Sequence, residues 1–194
     1  FQNDNFGRGG FGNDRVSAQA QDCNGTNNAN FRTPADGTRG SMQMYLWTAP
    51  TPDFDGSLDA DVIIHELTHG VSNRLHGNGS GLILDFARGM GEGWSDFYGH
   101  SLLSEPTDPI NGVYTTGAYD TYRSVGFNNA YYGIRRFPKA VLAFTGGPNN
   151  RPHNPLTFAD IDSTKINLSD GAYSPAFVGT ADQVHNIGEG WSSI

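Results

Sequence analysis

A single cysteine, Cys23, is all the thiol this chain carries, so no internal disulfide braces it and cysteine pairing fixes no compartment. Charge is also scarce: charged residues make up 16%, and the 12 Lys and Arg never cluster against 20 Asp and Glu. A net charge of -8 without a basic patch gives no electrostatic footprint for a polyanion, which excludes a nucleic-acid partner. No apolar run approaches the roughly 20 residues of a membrane-spanning helix, so no membrane partner is expected. The opening FQNDNFGRGG lacks the apolar core of a signal peptide. A processed chain or a fragment is the expectation.

What is present is turn chemistry and aromatic surface. The 26 glycines and 10 prolines indicate many turns, while 36% hydrophobic and 12% aromatic residues are enough to build a core. The 194 residues suit one domain, or two small lobes of it. Three sequons, at Asn24-Gly25-Thr26, Asn78-Gly79-Ser80 and Asn167-Leu168-Ser169, point toward secretion.

Two unlike halves follow one another. Residues 1–57 are rich in Gly, Asn and Asp and read as a β and loop region, with strand-like pieces at Val16 to Ala20 and Ser41 to Trp47. From 58 to 194 helical patterns take over. Leu58, Val62, Ile63, Leu67, Val71 and Leu75 recur near helical spacing behind Asp59 and Asp61, which predicts a helix over 58–75. Trp94, Phe97, Tyr98, Ser101 and Leu102 predict a second over 90–103, closed by Ser104-Glu105-Pro106. A third helix is expected around Pro138 from Ile134 to Phe144, loops over 146–180, and a last helix from Asp182 onward.

The first helix contains His65-Glu66-Leu67-Thr68-His69, an HExxH motif in the context the motif requires. Side chains four apart share one face about 6 Å apart along the axis. Two imidazoles can therefore converge on one tetrahedral Zn²⁺, with Glu66 beside the metal as general base. A catalytic zinc needs a third ligand and an open position. The longer HExxHxxGxxH pattern is excluded, because Ser72 and Leu75 stand where it needs Gly and His. His76 lies on another face of the helix. Glu92 is the preferred third ligand: Asp96, four residues on, shares its face and can accept the second N–H of a metal-bound imidazole. GEGWSD at 91–96 is nearly repeated by GEGWSS at 188–193, so Glu189 is the alternative, though Ser193 replaces the second acid.

DVIIHELTHGVSNRL followed by GMGEGWSDFYG resembles the fungalysin family of secreted zinc endopeptidases, relatives of thermolysin. The likeness extends through GNDRVSAQAQD, ADGTRGSMQMYLWTAP, GIRRFP and VHNIGEGW. It implies an α+β fold: a thermolysin-like catalytic domain with a β-rich N-terminal lobe, a helical C-terminal lobe and the HExxH helix between them. The family's catalytic domain is longer than this chain, so a fragment is expected, lacking much of the helical lobe and the inhibitory propeptide.

The resemblance also assigns roles. His65, His69 and Glu92 would hold zinc, Glu66 would act as base, and Asp96 would orient a ligand. His185 would stabilise the tetrahedral intermediate and Tyr114 the oxyanion. Arg135, or adjacent Arg136 in exchange with it, would bind a substrate carbonyl, with Asn28, Ala29, Val62 and Ile134 lining the substrate site. Extended protein segments would lie along the edge strand near Asn28 to Asn30 and Met42 to Trp47, with a bulky apolar residue after the cut. The expected protein is a secreted monomer acting on proteins or peptides. Two other readings remain at this stage: a secreted metal-binding domain without catalysis, and an extracellular domain whose acidic stretch Asp53 to Asp61 binds Ca²⁺. Helix capping explains those acids more simply.

Overall fold

The computed structural model describes residues 1–48, 50–122, 130–135, 137–143, 156–157 and 183–193. Short strands come first and helices later. Strand β1 (Ser17–Gln19) runs parallel to β3 (Ser41–Met44), and β2 (Ala29–Arg32) flanks β3 on its other side in antiparallel register, Ala29 facing Met44. A separate two-stranded ladder pairs β4 (Leu46–Trp47) with β5 (Phe54–Asp55). Along β3 burial alternates, Met42 and Met44 inward and Ser41 and Gln43 less so, the period-two pattern of a sheet with one covered face. Met42, Met44, Ala29, Trp47, Val62 and Ile134 form the core.

That core brings helix α1 (Ala60–Leu75) onto the sheet through Val62 and Ile63. Asp59 caps the helix: its side chain accepts from the amides of Asp61 at 3.1 Å and Val62 at 3.4 Å, satisfying donors that lack partners in the first turn. Asp61 in the first turn and Arg74 in the last suit the helix dipole. Two acids of the 53–61 stretch thus act as caps, Asp55 likewise accepting from Ser57 N at 2.9 Å.

Helix α2 (Asp85–Leu103) packs along α1, and α4 (Gln183–Ser193) packs along α2. The α2–α4 approach is close because glycines face each other. A Cβ on Gly93 would lie 2.4 Å from Cβ of Trp191, and one on Gly188 would lie 2.5 Å from Cβ of Glu92.

Several expectations change. The second helix begins at Asp85 rather than near Met90, although Leu84 caps it without a side-chain bond. Strand β5 and the short helix α3 (Ala118–Thr121) had no periodic signal long enough to predict them, and β2 overlaps the strand that the resemblance places near Asn28 to Asn30. The third helix expected over 134–144 does not form in the described part of that range. Pro138 cannot donate within a helix, and Lys139 instead exchanges both backbone hydrogen bonds with Tyr114, at 2.7 and 2.9 Å. Arg136, Phe144, the sequon at Asn167 and the loops expected over 146–180 lie outside the described residues apart from 156–157.

Only the first part of the apolar stripe that predicted α1, at Val62 and Ile63, meets the core. Leu67, Val71 and Leu75 are exposed and line, with Phe97, Tyr98 and Leu102 of α2, an open groove of about 600 Å³. The buried positions of α1 are Val62, His65, Glu66, Gly70 and Ser72.

Candidate metal centre

Two helices deliver the central residues. His65 and His69 lie one turn apart on α1, and Glu92 and Asp96 one turn apart on α2. Nε2 of His65 stands 3.0 Å from Nε2 of His69 and 3.1 Å from Oε2 of Glu92, and Nε2 of His69 stands 3.3 Å from that same oxygen. Three donor atoms thus converge on one point. A tetrahedral zinc with bonds of about 2.0–2.1 Å would hold its donors about 3.3 Å apart, so two imidazole nitrogens and one carboxylate oxygen fit the ion in chemistry and spacing. Among the described residues this is the one group of three or more His, Cys, Asp or Glu arranged to hold a metal. Glu189, the alternative third ligand, is not in it.

Asp96 secures the ring of His65 from behind. Its Oδ1 accepts from Nδ1 of His65 at 2.9 Å, which leaves the Nε2 lone pair pointing at the metal position. The remaining capacity of this buried carboxylate is filled by cations: Arg135 donates Nε to Oδ2 at 2.8 Å and Nη2 to Oδ1 at 2.6 Å, and Lys139 donates Nζ to Oδ2 at 3.3 Å. Burial alone would raise Asp96, but Arg135, Lys139 and the His65 bond hold it well below the usual carboxylate range. Burial likewise opposes the charged forms of this carboxylate's three partners, His65, Arg135 and Lys139. His65 is pulled down by burial, yet its bonds to Asp96 and Glu92 bring it up to about 9 with no ion between the ligands. Burial lowers the ammonium of Lys139, and Asp96 opposes that shift.

Glu66 occupies the position beside the ligands. It is buried, its Oε2 has no hydrogen-bond partner, and burial raises its carboxyl above the ordinary value, against the pull of His65 and His69. A desolvated carboxylate with a free oxygen is suited to taking a proton. His185 reaches the centre from α4, its Nε2 3.2 Å from Oε2 of Glu92.

The structure brings together most of the residues expected to meet substrate. Asn28, Ala29, Val62, Ile134, Arg135 and His185 line one small cavity of about 30 Å³ together with His65, Glu66 and Trp47. Tyr114 is not brought there. Its hydroxyl donates to the carbonyl of Pro109 at 2.5 Å, and its side chain lines a different cavity of about 610 Å³ beside Asp61 and His100. Sequence reasoning missed Lys139, and it placed Trp47 at the end of a strand beside the expected substrate without giving its side chain a role. Lys139 follows Arg135 by four positions, a spacing that carries no meaning once the segment is not helical.

Comparison with known proteins bears on the whole length. The sequence profile of a family described as Fungalysin metallopeptidase (M36) matches residues 1–194. Probable extracellular metalloproteinase 2 of Arthroderma benhamiae is 40% identical over 197 residues, covering 100% of this chain and 26% of that protein. Extracellular metalloproteinase 2 of Trichophyton rubrum and extracellular metalloproteinase mep of Aspergillus fumigatus show the same 40% identity and the same coverage, 100% and 26%. The chain therefore spans about a quarter of the length of these relatives. Among the described residues no helix is long and apolar enough to cross a membrane.

Proposed function

The chain belongs to the fungalysin metallopeptidase family, and from that premise we propose that it carries the zinc centre of a secreted endopeptidase that hydrolyses peptide bonds in proteins. The observation that supports this most is the meeting of His65 Nε2, His69 Nε2 and Glu92 Oε2 within hydrogen-bond distance of one another. A bound zinc supplies Lewis acidity and brings water toward a pKa of about 7.

The chain's own residues would do the rest. His65 and His69 bind through Nε2, and Glu92 through Oε2. Asp96 fixes the tautomer and orientation of His65. Glu66 takes a proton on its unpartnered oxygen as water adds to the scissile carbonyl, then returns it to the departing amine. His185 and Arg135, both lining the small cavity, are placed to stabilise the oxyanion and to bind a substrate carbonyl. Asn28, Ala29, Val62 and Ile134 would take the side chain that follows the cut. Tyr114, bonded to Pro109, has no part in this reading. Residues 1–57 would belong to the β-rich lobe and 58–194 to the metal-binding helices and the start of the helical lobe. A precursor with an inhibitory propeptide fits relatives of this length.

The test joins two measurements on wild type and Glu66→Gln: the zinc-to-protein ratio and cleavage of a protein substrate. Equal zinc with turnover reduced about 10³-fold or more in the variant supports the proposal. Zinc binding with equal, residual cleavage in both would instead identify a metal-binding domain without catalysis.

A further inference from the structure

The centre holds more buried charge than metal binding needs. Glu66 and Asp96 are buried, Glu92 is mostly so, and Glu189 of α4 is 2% exposed close to Arg135 and Lys139. Arg135 and Lys139 are the cations that contact Asp96 within this group of acids.

Arg135 and Lys139 are not equivalent on Asp96. Arg135 makes two short bonds, at 2.6 and 2.8 Å, and covers both oxygens; this fixes where the carboxylate sits. Lys139 adds one longer contact at 3.3 Å to an oxygen that is already held. Its contribution to geometry is therefore small. Its contribution to charge is a full unit, delivered into a site with little solvent, where charge carries further than in water. The backbone of Lys139 is pinned for this task by paired hydrogen bonds with Tyr114 on both sides.

We propose that Lys139 is a positioning residue of the metal centre that acts by charge: through Asp96 it limits electron donation from His65 and keeps a bound zinc electron-poor. Asp96 is the second partner of a ligand imidazole, and the more negative that carboxylate is, the more basic the ring and the tighter its hold on the ion. Lys139 draws on the same oxygen and opposes this. The metal is held less tightly than the ligands alone would hold it, and in return it polarises oxygen more strongly. The inference rests on the zinc peptidase reading above.

The consequence is an unusual pair of signs. Replacing Lys139 by a neutral residue tightens zinc and slows turnover, whereas a residue that merely braced the fold would loosen zinc when lost. The experiment compares wild type with Lys139→Gln, Lys139→Met and Lys139→Arg, reading the zinc dissociation constant by competition with a chelating dye and kcat and KM on a peptide substrate. The neutral variants are expected to bind zinc about tenfold more tightly and to lose about tenfold in kcat with KM unchanged. Lys139→Arg is expected to match wild type within about twofold on both. Lys139→Gln retains a donor for Asp96 and decides the matter if Lys139→Met does not fold. Neutral variants that bind zinc as wild type does, or more weakly, overturn the role of Lys139 and leave the peptidase reading standing. Wild type that binds no zinc overturns both.

Discussion

Nε2 of His185 and Oε2 of Glu92 stand 3.2 Å apart although 93 positions separate them in the chain. The contact exists because α4 lies against α2 with Gly188 set directly on Glu92, where a Cβ would come within 2.5 Å of the Cβ of Glu92. Gly188→Ala is therefore expected to force α4 away from α2. Overpacking of this kind costs about 1–3 kcal/mol, read as a lower Tm, and here it should also weaken zinc and turnover by moving Glu92 and His185 apart. A variant with normal zinc affinity and normal kcat would show that the helix pair can shift without disturbing the centre.

The residues proposed to hold the metal were legible in the sequence as candidates because helical periodicity fixes side-chain direction locally. His65 and His69, Glu92 and Asp96 are each pairs within one helix, and only the crossing of two helices had to be added. Arg135 was placed by resemblance, and its hold on Asp96 was not visible, because residues 130–143 follow no repeating pattern that would give direction to a side chain. Lys139 was invisible for the same reason. The apolar stripe of α1 misled in the other direction: periodicity identifies a face but does not say what covers it. The buried positions of this helix include Val62 together with His65 and Glu66 of the motif, while Leu67, Val71 and Leu75 line an open groove.

Metal uptake should release protons. Burial pulls His65 down, but Asp96 and Glu92 raise it to about 9 when no ion separates the ligands, so at neutral pH the metal-free ring keeps a proton that zinc must displace. Apparent zinc affinity should fall as pH is lowered from about 8 to 6, by about tenfold per unit for one proton. Titration of the metal-free chain with zinc in a weakly buffered indicator dye measures the release directly. An affinity independent of pH over that window would mean that the ring is already neutral.

Arg74 joins three segments at the far end of α1. Its guanidinium pairs with Asp14, which is fully buried, donates to the carbonyls of Pro34, Ala35 and Thr38, and lies 3.8 Å over the ring of Phe1. Burial acts to raise Asp14, but the amide of Gln2 and Arg74 bring it down to about 2. A depressed carboxyl contributes stability above its unfolded value near 4 and loses it as pH falls toward 2. Arg74→Met takes the guanidinium from that buried carboxylate, which keeps the amide of Gln2 at 2.9 Å, and should cost about 2 kcal/mol. Urea unfolding at neutral pH measures this, and adding Asp14→Asn should recover part of the loss, since the two changes act on one contact.

Asp120 shows the opposite sign. Its side chain is fully buried, neither carboxylate oxygen has a hydrogen-bond partner, and Asp59 lies close enough for its Oδ2 to accept from the amide of Asp120 at 3.2 Å. Burial, reinforced by Asp59 and Asp55, raises Asp120 to about 8. The folded chain therefore keeps a proton that the unfolded chain releases near pH 4. Between those values the unfolded state binds fewer protons, so stability declines as pH rises and levels off above about 8. Asp120→Asn removes this titration while preserving the shape of the side chain. Its Tm should differ little from wild type near pH 4 and exceed it by about 4 °C or more at pH 8. A difference in Tm that stays constant from pH 4 to pH 8 would show that Asp120 is ionised in the fold and that a group outside its neighbours Asp59 and Asp55 compensates it.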